Sequence, residues 1–175
     1  MTFRQLAAHR RSVRNFAERR VEDKVIAEIL ETTFTAPSSK NSRTTRIAVS
    51  SDKEILRTIS LMRSSGSAFV KDAPMVFIIM GDDSQTDLWR ENSSISATVL
   101  QYAAESLGLG SCWVHVNGRP HSEDDPGGLT AEEYLRKNIP ALPNYRILCV
   151  IAAGYPAAEH TPRVPQDNSG KVFFI

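Results

Sequence analysis

Apolar positions along the chain follow two periodicities, which divide it into helices and strands. Val25, Ile26, Ile29, Leu30 and Phe34 recur at three- and four-residue steps, placing them on one face of a helix over residues 23–35. Pro37 ends that helix, because proline disfavours helical backbone in the residue before it. Ile55, Ile59 and Met62 form a second stripe, opened by the capping-box spacing of Ser51 and Glu54. Leu88, Ile95, Val99, Tyr102 and Leu107 mark the longest helix, over 87–107, with Gly108 as its stop. Shorter helices are expected over 2–9 and from the Thr130–Glu133 capping box to just before Pro140. Val76 to Met80 is an unbroken apolar run, suited to a central strand covered on both faces. Arg146 to Ala153 is a second strand, and Arg46 to Ser50 a shorter one. Lys171 to Ile175 reads as a last strand or an extended arm. Residues 117–129, rich in Gly, Pro and polar groups, read as a mobile loop. With no internal repeat or linker, residues 1–175 form one α+β domain.

Composition narrows the classes of function. A net charge of +1 gives no bulk attraction to nucleic acid or to a membrane surface. No apolar run approaches the ~18 residues of a membrane span. The N-terminal segment carries Arg4, Gln5 and His9 where a signal peptide would be apolar. Cys112 and Cys149 are far apart and form no Cys-x-x-Cys pair, which fits a reducing cytoplasm and argues against a zinc site.

Two polar segments carry the candidate chemistry. Arg10-Arg11-Ser12-Val13-Arg14 sets three guanidiniums and a hydroxyl within five residues. Guanidinium forks match phosphate oxygens in two-point geometry. A solvated helix end explains such a cluster equally well. Pro37-Ser38-Ser39-Lys40-Asn41-Ser42-Arg43 offers hydroxyls and amides suited to a polyol or the edge of a heterocycle. On composition alone it is an ordinary helix-to-strand turn.

In this order, and with Trp89-Arg90-Glu91-Asn92, Gly108-Leu109-Gly110-Ser111-Cys112-Trp113 and Gly154-Tyr155-Pro156 downstream, these segments resemble the nitroreductase family of FMN-dependent oxidoreductases. The resemblance spans nearly the whole chain. It implies an α+β fold with a central, mostly antiparallel sheet surrounded by helices, in an intertwined homodimer with FMN at the subunit interface. Arg10, Ser12 and Arg14 match the family's phosphate and ribityl contacts, with Arg11 between them. Pro37, Ser38, Ser39 and Asn41 fall where the ring and dimer-partner contacts lie. Arg43 stands where the family usually has Gln, and Thr44-Thr45 where Pro-Trp is frequent. The extra cation makes Arg43 a tuning residue that favours anionic reduced flavin or an acidic substrate.

Gly108 to Val114 corresponds to a loop over one face of the flavin, which makes Ser111, Cys112 and Trp113 flavin neighbours; Trp113 fits the core equally well. His115 is read as structural, because no His–acid arrangement can be argued around Cys112. Lys171, with Arg163 as the fallback, is the candidate for a further phosphate contact; as a bland alternative it is a charge guarding a strand edge. The implied activity is NADH- or NADPH-dependent reduction of a nitroaromatic, quinone or similar conjugated electrophile. Donor and acceptor would use the site in turn, and no side-chain acid or base is required. Other readings are a flavin store or regulator, a specialised dehalogenase or oxidative enzyme of the same fold, and a basic interaction module.

Overall fold

In a computed structural model, residues 1–159 and 166–175 are described. Arg163 lies outside them. Four strands, β1 (Thr45–Ser50), β2 (Met75–Gly81), β3 (Gly110–His115) and β4 (Arg146–Gly154), form one antiparallel sheet in the order β1-β2-β4-β3. All seven residues of β2 are buried, as its unbroken apolar run requires of an inner strand. Along β2, Val76, Ile78 and Met80 face one core, and Met75, Phe77 and Ile79 face a second. The first core is closed by α3 (Lys53–Ser60) and α5 (Ala131–Asn138), through Leu56, Ile59 and Leu135. The second is closed by α4 (Trp89–Ser106), with α2 (Asp23–Thr33) packed outside it. The short α1 (Phe3–His9) touches α4, where the Phe3 ring meets Tyr102.

Several expectations hold and several are corrected. Thr130 and Glu133 form the expected reciprocal capping box of α5. The cap of α3 is Asp52, not Ser51: its carboxylate accepts from the N–H groups of Glu54 and Ile55. Phe34 lies past the end of α2 and is 54% exposed, so it does not extend the buried stripe.

The face of α4 is turned relative to the expected one. Ser93, Ser96, Ala97, Ala103 and Ala104 are buried, while Leu88 and Ile95 face outwards. The small residues thus serve an internal contact, letting the helix lie close on the sheet; at Gly81 a Cβ would come within 2.7 Å of the Trp89 ring. Gly108 does stop the helix, at φ +80°. Where a loop is expected over Gly108 to Val114, Gly110–His115 instead form edge strand β3.

The 117–129 segment is held at both ends. Ala131 N–H donates to the Arg119 carbonyl, His121 N–H to Leu129, and Ser64 N–H to His121. The His121 ring stacks on Tyr134. Beyond a 3-10 turn at Ser169–Lys171, residues Val172–Ile175 form no strand and are exposed.

Candidate functional site

The arginine segment runs along the outer edge of β3. Ser12 makes a parallel bridge to Ser111, and Val13 N–H donates to the Ser111 carbonyl at 3.0 Å. The approach requires glycine at 110, because a Cβ there would lie 2.5 Å from a Val13 methyl. Upstream, His9 at the end of α1 pairs with the buried Glu105 of α4, which anchors the start of the segment. Downstream, Arg19 donates to Glu22 at 2.7 Å, Tyr155 donates to the same carboxylate at 2.6 Å, and the Arg19 guanidinium lies over the Tyr155 ring. These two bonds hold the Glu22 carboxyl at about 2, Tyr155 first and Arg19 second.

Between these anchors Ser12 and Arg14 are exposed and Arg10 is half-buried. Arg14 lies 5.8 Å from the Phe69 ring centroid. Arg11 folds back onto the end of α1, donating to the Ala8 and Arg10 carbonyls. Cys112 is buried beneath the segment. Burial pushes its thiol up, while Arg14, a hydrogen bond from Ser12 and Arg10 pull it the other way. The thiol donates to the Trp113 carbonyl at 3.8 Å, so this is a packed cysteine and not an activated nucleophile.

Among the described residues, the edge of β3 past Ser111 is open. Ladder alternation turns the N–H groups of Trp113 and His115 the same way as the Ser111 carbonyl, towards that edge. Trp113 donates its indole N–H to His115 Nδ1 at 3.3 Å, which requires that nitrogen unprotonated. Burial, then Arg119 and Arg63, lowers the His115 pKa and keeps the ring neutral. Trp113 itself is half-buried and packs against the α4 side of the sheet.

The second segment occupies the opposite corner. Ser39–Asn41 make a 3-10 turn, and Lys40, Asn41 and Arg43 take left-handed backbone at φ 50°, 54° and 48°. This costs about 1–2 kcal/mol each at Lys40 and Arg43, whereas asparagine adopts this backbone more readily. The turn is bonded throughout: Arg43 N–H donates to Ser38 Oγ, Arg43 Nε to Asn41 Oδ1, and Arg46 to the Arg43 carbonyl. Beneath it, Asn92 of α4 accepts from Ser39 N–H at 2.8 Å and donates to the Ser42 and Thr44 hydroxyls, both at 3.1 Å.

Beside the turn, Phe34, Ser38, Arg43, Arg46, Met80 and Tyr145 line a half-open cavity of about 530 Å³. Pro37 is exposed at the start of the turn. Sequence reasoning places Asn92 within a motif but gives it no role, and expects backbone groups from Gly108 to Val114 on a loop and not on a strand edge. Its available signal for the first was the polar row Asn92, Ser93 and Ser96, one helical face of amide and hydroxyl groups amid small residues.

One chain does not bring the two segments together. Ser12 lies one strand spacing outside β3 and four from β1, about 19 Å across the sheet. Thr45 pairs with Gly81 and hence Arg146, whereas Ser111 pairs with Ala153, so the segments are also offset by roughly 20 Å along the strands. Lys171 donates to Asn168 Oδ1, and among the described residues no contact joins it to the arginine segment.

A four-stranded antiparallel sheet with helices on both faces, and an arginine-bearing segment along its β3 edge, define an α+β protein. The nitroreductase family model matches residues 7–65 and 60–155, and the chain belongs to that family. A curated relative from Methanothermobacter thermautotrophicus, with the provisional name NADH dehydrogenase/NAD(P)H nitroreductase, is 32% identical over 85% of this chain and 74% of its own. Among solved structures, an FMN-dependent nitroreductase from Clostridium difficile R20291 is 34% identical, with a TM-score of 0.90 over 98% of each chain. A protein from Bacteroides thetaiotaomicron, under the same provisional name as the archaeal relative, is 29% identical; its TM-score is 0.84 over 97% of this chain and 94% of that one.

Proposed function

We propose that the protein is an FMN-dependent oxidoreductase that uses NADH or NADPH to reduce a nitroaromatic, quinone or similar conjugated electrophile. The observation that carries this reading is the arginine segment laid on the open edge of β3. FMN presents a dianionic phosphate, a polyol and a flat ring with acceptor edges, and the residues present suit each part. Arg10, Arg14 and Ser12 offer charged and hydroxyl donors to the phosphate and polyol. Trp113 and His115 offer backbone N–H groups to the ring edge, beside Ser111 and Cys112. Lys171 is the further phosphate cation in this reading.

Bound FMN would supply the redox chemistry, taking hydride from the nicotinamide and passing electrons to the acceptor. The chain's part is to bind and orient the cofactor and to leave one face open, so that donor and acceptor occupy it in turn. The donors at the β3 edge, and Arg43 from the turn, favour negative charge on the reduced ring.

The corner-to-corner separation of the two segments supports a homodimer in which Ser38, Ser39, Asn41 and Arg43 of a second copy complete the site. Two apolar surfaces exposed among the described residues favour the same assembly: the Leu88 and Ile95 face of α4, and the Val172–Ile175 arm.

The test is the visible spectrum of the purified protein, before and after anaerobic NADPH and then NADH. Flavin bands that bleach with either donor support the enzyme. Bands that persist with both would replace it with a flavin store, and no band after adding FMN would remove the cofactor assignment.

A further inference from the structure

We propose that Asn92 is a positioning residue of the flavin site, holding the strained Ser38–Thr44 turn in the form that presents Ser38, Ser39 and Asn41 to the cofactor. This rests on the FMN reading above. Lys40 and Arg43 take left-handed backbone that their side chains disfavour, so the turn keeps this shape only through the bonds that hold it. Asn92 is 1% exposed and uses one side chain to fix three points of the turn. Its Oδ1 takes the backbone N–H of Ser39, and its Nδ2 reaches hydroxyls on either side of Arg43.

The grip is rigid at its own end. Asn92 sits in the first full turn of α4, and the neighbouring Ser93 donates to the Met80 carbonyl of β2. Ser96, one helical turn on, accepts from or donates to Thr45 Oγ1 at the start of β1. The polar row Asn92–Ser93–Ser96 therefore ties the turn to both the helix and the sheet. Asn92 does not itself face the site, and acts only through the turn.

The chemistry of the grip separates two substitutions. Asn92→Leu keeps the branched outline, at a larger volume, and removes all three bonds. Asn92→Asp keeps the acceptor for Ser39 N–H, and the Ser42 and Thr44 hydroxyls can turn to donate to its second oxygen.

The experiment is hydrogen exchange on the protein without added FMN, followed by FMN titration, for the wild type and both variants, at temperatures where circular dichroism shows them folded. For Asn92→Leu the amides of Ser39–Arg43 should exchange at least tenfold faster, while those of Val76–Met80 in β2 keep their wild-type rates. FMN should bind on the order of tenfold more weakly. Asn92→Asp should restore turn protection and bring the FMN dissociation constant to within about threefold of wild type.

Turn amides unchanged in Asn92→Leu, or an unchanged dissociation constant, would overturn the proposal. So would equal loss of protection in the turn and in β2, which would make Asn92 a general stability residue. If Asn92→Leu does not fold, Asn92→Ser, which keeps one short polar group, takes its place with the same criteria. A wild type that binds no FMN would refute the functional reading, while the exchange data would still decide whether Asn92 holds the turn.

Discussion

At the scale of single residues, the site depends on cations held by anchors outside it. The exposed Arg14, whose guanidinium reaches the Ser12 carbonyl, is held in place because Val13 is bonded to β3 and the flanking chain is clasped by His9–Glu105 on one side and Arg19–Glu22–Tyr155 on the other. Arg14→Ala should weaken FMN binding by about 1.5–3 kcal/mol, the usual worth of a charge-assisted hydrogen bond. A titration followed by flavin fluorescence measures this, and an unchanged dissociation constant would remove Arg14 from the site. The clasp has its own signature in acid. Glu22 titrates at about 2 in the folded chain against an ordinary 4.5. Its folded value is depressed, so its stabilisation is complete above about pH 4.5 and is lost as pH falls towards 2. Glu22→Gln should therefore differ from wild type in stability at pH 5, with the gap narrowing towards pH 2. A gap of equal size at both pH values would show that the carboxylate charge contributes nothing.

At the scale of elements, β3 meets the arginine segment only because position 110 lacks a side chain. Gly110→Ala should cost about 1–3 kcal/mol through overpacking against Val13. Val13→Ala in the same chain should recover part of it, as thermal unfolding of the four variants would show. A Gly110→Ala protein as stable as wild type would mean that the edge can move aside. This contact also explains what could be read in advance. The helix expected over 23–35 and found over Asp23–Thr33, and the β2 strand, were legible, since each has one strong period or an unbroken apolar run. Strand β3 was not: Gly110-Ser111-Cys112-Trp113 has small residues on both faces, and its pairing comes from β4 and Ser12, which are distant in sequence. The inner face of α4 was misread for a related reason. Periodicity marks the large apolar residues, whereas close packing on the sheet selects Ser93, Ala97 and Ala104 and leaves Ile95 outside. The two segments could be found by their side chains, but not the left-handed shape of the second, because Lys40 and Arg43 carry no local signal for it and part of its bonding comes from Asn92 and Arg46, distant from the turn's own residues or outside it.

At the scale of the whole molecule, the decisive fact is that the arginine segment and the Ser38–Arg43 turn lie at opposite corners of one sheet. If a second copy completes each site, lesions at the two corners belong to different halves of it, and mixed dimers can repair them. Arg14→Ala and Asn41→Ala each damage both sites of their own homodimer. A heterodimer of the two carries one site with both lesions and one with neither. After unfolding and refolding an equal mixture, about half of the dimers should be heterodimers, and about a quarter of all sites intact. Separately refolded samples combined afterwards should show no such recovery until subunits exchange. High-affinity FMN binding counted per chain reads out the fraction directly, with native mass spectrometry reporting the dimer population. Recovery near that fraction would place the two segments in one site across the interface. Heterodimers that form without any recovery would show instead that the turn and the arginine segment serve separate ends, and the ring-contact role of Ser38, Ser39 and Asn41 would fall with it.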